Sequence, residues 1–189
     1  LKPHPVRELV ELAMRLPDAL RLEQGEPDFP TPAHIVAAGQ RALAEGYTKY
    51  VSTLGIPALR QAIAARYRQE AGVELDPEQE ILVTTGASAG LCLALLVTVD
   101  PGEEVLVPDP GWPQYERMVV FAGGVPKPYP LREENGFQPN VAELRRLLSR
   151  RTRALILSFP HNPTGAVLGE EAARELAAFV AEHGLVAIA

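Results

Sequence analysis

The apolar run at residues 154–159, followed closely by the tetrad NPTG at residues 162–165, constrains this chain more than any other feature. A short apolar run bounded by turn residues is typical of a buried strand, so the tetrad is predicted to lie just past the strand's C-terminal end. In open α/β sheets, ligands bind at that edge. The run therefore predicts both a buried strand and the side of the sheet where a site belongs.

Composition limits the kinds of protein this can be. The 189 residues suffice for one domain or most of one, and 47% hydrophobic with 22% charged residues is ordinary for a soluble globular protein. A net charge of −6 argues against nucleic acid or an anionic membrane as the main partner. The single cysteine, Cys92, excludes an internal disulfide and fits a reducing compartment. We therefore expect a cytoplasmic protein with no nucleic-acid, membrane or metal partner. Because the chain lacks an initial Met and stops inside an apolar run, we also expect it to be a piece of a longer protein.

Helical and strand-like patterns alternate along most of the chain. Helices are predicted at residues 6–15, from a cap at Thr31 to about residue 45, and at residues 56–71. Further along, strands are predicted at 81–84, 105–107, 125–129, 154–158 and 185–188, with helices between them at 87–99, 114–121, 140–148 and 169–183. Such alternation predicts an α/β fold in which helices cover both faces of a mostly parallel sheet, as a three-layer αβα arrangement.

The sequence GASAG at residues 86–90 stands between a predicted strand and an apolar helix. Small residues there let backbone N–H groups approach an anion, and the helix dipole favours a phosphate. Two other interpretations remain open. The segment could be a tight turn capped by Ser88, and it also matches the G-x-S-x-G pattern of serine hydrolases.

Two further turns follow later strands. Trp112, the only Trp in the chain, is held in the loop DPGWP at residues 109–113, where its ring could stack on a flat cofactor or plug the top of the core. Asn162 offers both an amide donor and an acceptor. Because parallel strands bring their C-terminal ends to one edge, the three turns are predicted to share one crevice. Together they would offer backbone amides for an anion, an aromatic ring for stacking and a side-chain amide for hydrogen bonds. These groups suit a phosphorylated, planar, heteroaromatic cofactor.

The sequence resembles the class I/II aminotransferases, pyridoxal-phosphate enzymes of the aspartate aminotransferase fold. Six blocks carry the resemblance in the family's order: GEPDFPTP at 25–32, YTKYVSTLGIPALRQAI at 47–63, TTGASAGL at 84–91, DPGEEVLVPDPGWPQY at 100–115, FAGG at 121–124 and FPHNPTGAVL at 159–168. The resemblance implies an incomplete large domain of fold type I over residues 31–189. Residues 1–30 would then be the N-terminal helix and arm of the small domain.

The resemblance also implies roles for individual residues. Gly86, Ala87 and Ser88 would hold the phosphate of pyridoxal 5'-phosphate, Trp112 would stack on its ring, and Asn162 would donate to the ring's 3-oxygen. Tyr50 would reach the phosphate of the neighbouring subunit in a homodimer. Gly25, with Trp112 and Asn162, would contact the substrate. Cis bonds are expected at Asp109–Pro110 and Asn162–Pro163.

The implied reaction is transfer of an amino group between an amino acid and a 2-oxo acid. The family's Schiff-base lysine, ring-nitrogen carboxylate and substrate arginine would lie beyond Ala189, so no catalytic residue is assigned here and the chain alone is expected to be inactive. Lys2, Lys49 and Lys127 are outside the family's lysine setting. Related lyases and synthases share several of these blocks. A more distant alternative is a serine hydrolase with Ser88 as nucleophile, using Asp109 with His161 or His183.

Overall fold

The computed structural model describes residues 5–16, 18–22 and 25–189, and of residues 5–7 only the backbone. These residues divide into two units, one that ends at residue 56 and one that begins at residue 57. The predicted division at residue 30 into a small-domain arm and a large domain stays a prediction. The helices are α1 (Pro5–Ala13), α2 (Ala33–Ala44), α3 (Pro57–Ala71), α4 (Ala87–Thr98), α5 (Gln114–Phe121), α6 (Val141–Leu147) and α7 (Glu170–His183), with a 3-10 turn at Glu133–Asn135. The strands are β1 (Glu104–Asp109), β2 (Val125–Pro130), β3 (Thr152–Ile156) and β4 (Val186–Ile188).

The first unit holds α1 and α2 and buries little apolar surface. None of the side chains of α2 is buried, and Leu20, Leu22 and Phe29 are almost fully exposed. Because most helical stability in proteins comes from packing of an apolar face, contacts inside this unit contribute little to its order. None of the helices in the described segments is long and apolar enough to cross a membrane.

The predicted cap of the second helix by Thr31 is wrong. The helix begins at Ala33 with Pro32 as its N-cap, and no side chain caps it. Instead, the Pro32 carbonyl accepts hydrogen bonds from the amides of Ile35 and Val36, at 2.9 and 3.1 Å. Thr31 lies one residue too early for its hydroxyl to occupy the cap position.

The second unit is built on a four-stranded sheet with the order β2-β1-β3-β4. Each strand is parallel to its neighbours. The central strands, β1 and β3, are apolar and buried, including the fully buried side chains Val105, Leu106, Val107, Ala154 and Leu155. Near-continuous apolar strands of this kind are typical of a parallel sheet covered on both faces.

Helices cover both faces of this sheet and make two cores. On one face, Leu106 and Leu155 pack with Phe179 of α7 and with side chains of α6. On the other face, Val105 and Val107 pack with side chains of α4 and α5. The predicted α/β fold with three αβα layers and a mostly parallel sheet is therefore confirmed.

Most predicted elements of the second unit are present, with bounds shifted by one or two residues. The exception is residues 81–84, where the prediction of a strand is wrong. Ile81 is buried there, but the backbone pairs with neither edge strand, β2 nor β4. A strand forms only where a neighbouring backbone supplies hydrogen-bond partners, and an apolar pattern does not show whether such a neighbour exists.

A buried carboxylate joins the amino-terminal ends of the strands. Glu104 opens β1 and is only 4% exposed. Its oxygens accept from Ser149 Oγ at 2.6 Å, Arg151 Nη2 at 3.0 Å and Thr152 Oγ1 at 3.2 Å, and Lys127 Nζ of β2 lies 3.2 Å away. The Ser149 hydrogen bond, assisted by Lys127, outweighs burial and lowers the pKa of Glu104 below its ordinary value of 4.5. One charge thus links β1, β2 and the start of β3.

We expect Glu104→Gln to lower the free energy of unfolding by about 2 kcal/mol near neutral pH, because the buried donors lose a charged acceptor. The folded-state pKa is lowered, so this stabilisation is present above about pH 4.5 and disappears as the pH falls through the folded-state value. Urea unfolding of both proteins near pH 7 and near pH 3 measures the difference. Glu175→Gln, on the exposed side of α7, is the control. An equal loss at both pH values would contradict this account.

Candidate functional site

Two loops leave adjacent strands at the carboxyl edge of the sheet. β1 ends at Asp109, and the loop that carries Trp112 follows it. β3 ends at Ile156, and the chain reaches Asn162 six residues later. Because β1 and β3 are hydrogen-bonded parallel neighbours, both loops start from the same edge. This is the edge where ligands bind in open α/β sheets.

Helix α4 carries the GASAG turn toward the same edge. The C-terminal end of α4 lies at the amino edge, where Arg153 Nε of β3 donates to the Thr98 carbonyl at 3.1 Å and the chain soon enters β1 at Glu104. Leu95 packs the helix against β1. The 12 residues of α4 rise about 18 Å, close to the roughly 20 Å of the six-residue β1. The helix therefore runs antiparallel to β1, and Gly86 at its start lies toward the carboxyl edge.

The turn before α4 presents backbone amides that no side chain satisfies. Gly86 is the N-cap, with φ +92°, a conformation that favours glycine. The first turn of the helix has no side-chain cap and no acidic residue, and Gly86, Ala87 and Ser88 are all exposed. Uncapped amides at the positive end of a helix dipole suit an anion. Ser88 lies inside the helix, so the interpretation of Ser88 as a cap is wrong.

The loop after β1 holds Trp112 in one place. The expected cis bond at Asp109–Pro110 is present. Trp112 is partly buried and meets the ring of Tyr115 edge-on, with centroids 5.4 Å apart and planes at 83°; its carbonyl accepts from the Tyr115 amide at 3.0 Å. Trp112 lies outside both described cores, so it does not plug the core. Gly111 has no room for a side chain, because a Cβ there would lie 2.3 Å from the Pro108 carbonyl oxygen.

The loop after β3 closes on itself and leaves Asn162 at its tip. The expected cis bond at Asn162–Pro163 is present, and a further one at Phe159–Pro160 was not predicted. The His161 amide donates to the Ala166 carbonyl at 2.8 Å, and the Gly165 amide donates to the His161 carbonyl at 2.7 Å. Asn162 itself is exposed. Within the described part of the chain its side-chain amide makes no hydrogen bond, so it is available to a ligand.

His161 lies next to Asn162 in this loop, although the sequence analysis considered it only as a base of the serine-hydrolase alternative. Its side chain is only 3% exposed, although it directly precedes the exposed Asn162. Burial lowers the pKa of the imidazole, opposed by the nearby Pro110 carbonyl. The available signal was its place in a tight turn directly after a buried strand.

The serine-hydrolase arrangement is not formed. His161 Nδ1 lies 2.7 Å from Thr164 Oγ1, and its Nε2 has no hydrogen-bond partner among the described residues. His183 ends α7 just before β4, so it lies at the amino edge, with Nε2 3.0 Å from Arg145 Nη1. Neither imidazole is paired with Ser88 or Asp109, as a nucleophile and its base would require.

Tyr50 and Gly25 belong to the first unit, whereas the sheet belongs to the second. Tyr50 is fully exposed. Gly25 is exposed too, and a Cβ added there would meet nothing within 4 Å. Their contacts with cofactor phosphate and substrate stay predictions.

The chain is similar to known proteins over nearly its whole length. Residues 17–189 match the family model described as aminotransferase class I and II. A probable aspartate/prephenate aminotransferase of Thermus aquaticus is 46% identical over 92% of this chain and 45% of its own length. An aspartate aminotransferase of Pyrococcus abyssi is 40% identical over 100% of this chain and 48% of its own length.

Solved structures have the same fold. A Pyrococcus protein named A1 superposes with a TM-score of 0.95 at 41% identity, over 98% of this chain and 48% of that one. Thermus thermophilus aspartate aminotransferase with maleate superposes with a TM-score of 0.92 at 41% identity, over 99% of this chain and 50% of that one. The chain thus spans about half the length of the relatives it matches. On the family match and these likenesses, the chain belongs to the class I and II aminotransferases.

Proposed function

We propose that the protein containing this chain transfers an amino group between an amino acid and a 2-oxo acid. Members of this family use pyridoxal phosphate, and we propose the same cofactor here. The observation that carries the proposal is the convergence of three unsatisfied groups on one edge of the sheet: the first amides of α4, the ring of Trp112 and the side-chain amide of Asn162.

The start of α4 fits the phosphate of this cofactor. Phosphate groups bind well at helix N-termini, where backbone N–H groups and the dipole act together. The Gly86 amide already donates to the Thr84 carbonyl at 2.8 Å. The amides of Ala87 and Ser88 are open, and the first turn has no carboxylate that would repel the anion. These residues would hold the phosphate mainly through their backbones.

Trp112 and Asn162 fit the flat ring of the cofactor. Trp112 is fixed by Tyr115, so it offers an aromatic face that is already oriented. Asn162 would donate its amide to the ring's oxygen, and with Gly25 and Trp112 would also contact substrate. The bound cofactor would supply an electron sink for carbon–hydrogen bond breaking next to the amino group, while these side chains bind and orient it.

The lysine for the Schiff base belongs to the rest of the protein. Lys127 is not a candidate, because its Nζ donates to the Leu147 carbonyl at 2.7 Å and pairs with Glu104 at the amino edge. That edge is opposite to the proposed site. From the family resemblance we propose that the lysine, the carboxylate for the ring nitrogen and the substrate arginine lie beyond Ala189. This would leave binding and orientation to this chain.

A homodimer would complete the phosphate site. Tyr50 is fully exposed, so its hydroxyl is available to a second subunit. We propose that it contacts the phosphate bound by that subunit. Relatives named for aspartate make aspartate the first amino donor to test.

We expect the purified full-length protein, given pyridoxal phosphate, to convert aspartate and 2-oxoglutarate into oxaloacetate and glutamate. The measurement is chromatographic detection of both products, repeated with aromatic and other amino donors. Omission of the oxo acid is the control, because a transaminase stalls without its acceptor whereas a lyase continues. Product formation from the amino acid that does not depend on the acceptor would contradict the proposal and favour a lyase.

We expect Gly111→Ala to weaken binding of pyridoxal phosphate by roughly tenfold, because a Cβ only 2.3 Å from the Pro108 carbonyl oxygen must displace the loop that carries Trp112. Absorbance titration of the full-length protein measures the affinity. Gly169→Ala is the matched control, since a Cβ at that position meets nothing within 4 Å. Unchanged affinity in Gly111→Ala would show that the position of this loop does not matter for the cofactor.

A further inference from the structure

Pro108 interrupts the hydrogen bonding of a central strand. It is buried near the end of β1, and β1 has β2 on one side and β3 on the other. Proline has no N–H, so inside a sheet it removes one hydrogen bond of the ladder. A buried carbonyl that loses its donor in this way destabilises the fold unless another group replaces the donor. The pairing of the strands identifies that carbonyl.

The backbone groups of Pro108 and Ile156 point toward each other's strand. Successive residues of a strand direct their N–H and C=O groups to opposite neighbours. The Asp109 carbonyl accepts from the first amide after β2, at 2.7 Å, so the backbone groups of the preceding Pro108 face β3. The Leu157 amide donates to the last carbonyl of β4, at 2.8 Å, so the backbone groups of the preceding Ile156 face β1.

The register shows that the Ile156 carbonyl is the group without a donor. Leu106 lies opposite Leu155, so Ile156 follows opposite Val107. In a parallel ladder a carbonyl at that position accepts from the amide one residue further along the neighbouring strand. That residue is Pro108, which has no amide hydrogen. The pairing of β1 with β3 indeed ends with Leu106 and Leu155.

Tyr129 of β2 supplies the donor from the far side of β1. Its hydroxyl donates to the Ile156 carbonyl at 2.9 Å. Tyr129 is paired with Pro108 in the register of β2 with β1, so its side chain passes over β1 at the proline. The side chain is 1% exposed, and burial raises the pKa of the phenol above its ordinary value, so the hydroxyl keeps the proton that it donates.

We propose that Tyr129 is a positioning residue whose hydroxyl replaces the amide missing at Pro108. The replacement ties the last residue of β3 to the pair of strands formed by β1 and β2. Those strands are hydrogen-bonded along the whole length of β2, so they provide a fixed support. The loop that carries Asn162 then starts from a position fixed relative to the end of β1.

The consequence for the cofactor rests on the proposed function. Trp112 follows the end of β1 and Asn162 follows the end of β3. Both would contact the same flat ring, so the two strand ends must be held in place within a fraction of an ångström. The ladder between β1 and β3 stops before both ends, and the Tyr129 hydroxyl extends it by one hydrogen bond.

Hydrogen exchange of the full-length protein without added cofactor tests the hydrogen bond. Tyr129→Phe removes only the hydroxyl, and Tyr67→Phe, at an exposed tyrosine of α3, is the matched control. Exchange is followed by mass spectrometry in peptides that cover residues 157–166, after β3, and residues 149–153, at the amino edge. We expect exchange in Tyr129→Phe to become roughly tenfold faster at 157–166 and to stay unchanged at 149–153. Unchanged exchange at 157–166, or equal acceleration in both peptides, would overturn the proposal.

Pro108→Ala supplies the missing amide and provides a second test. In that background the Ile156 carbonyl has a donor from β1, so we expect the addition of Tyr129→Phe to change exchange at 157–166 by less than about twofold. An acceleration of roughly tenfold in both backgrounds would show that the hydroxyl does not replace the amide, and would overturn the proposal. If Pro108→Ala does not fold, the two peptides of Tyr129→Phe still decide the question.

Titration with pyridoxal phosphate tests the positioning role. We expect the affinity of Tyr129→Phe to fall roughly fivefold, and that of Tyr67→Phe to stay close to the original. Faster local exchange with unchanged affinity would overturn the positioning role. An unaltered protein that does not bind the cofactor would instead refute the proposed function, while the exchange results would still decide whether Tyr129 fixes the end of β3.

Discussion

The parallel pairing of β1 with β3 is the constraint on which the rest of the site depends. Because these two strands are neighbours and run in the same direction, the segments that follow them emerge side by side at one edge. Helix α4 runs antiparallel to β1, so its N-terminus reaches that edge as well. Trp112 and Asn162, fifty positions apart along the chain, are thus brought to one edge by backbone hydrogen bonds that involve neither side chain. Packing of Leu95 against β1 brings the start of α4 to the same edge.

The two edges of the sheet differ in how well their polar groups are satisfied. At the amino edge, Glu104 is buried and surrounded by donors from β2, β3 and the segment before β3. At the carboxyl edge, the first amides of α4 and the side chain of Asn162 have no protein partner in the described residues. Satisfied buried polar groups stabilise a fold, whereas open groups beside a fixed aromatic ring offer binding energy to a ligand. This contrast explains why stability and cofactor binding are assigned to opposite edges.

Sequence reasoning succeeded where the physical signal is local. The apolar run of β3 and the periodicity of α5 predicted those elements closely, and the family resemblance predicted the two cis bonds near Trp112 and Asn162. It failed where the outcome depends on distant partners. The backbone at 81–84 finds no neighbour at either sheet edge. The predicted cap at Thr31 failed for a local reason, because the cap position is one residue later. The burial of His161 was missed because only the fold shows that its side chain is inaccessible to solvent.

The central claim is that the α4 N-terminus, Trp112 and Asn162 form a single binding site for pyridoxal phosphate. A crystal structure of the full-length protein with this cofactor tests the claim most directly. The account predicts phosphate oxygens within hydrogen-bond distance of the backbone amides of residues 86–88, with the ring stacked on Trp112 and its oxygen bonded to the Asn162 amide. A cofactor bound at another edge of the sheet, or an indole turned away from the ring, would contradict it.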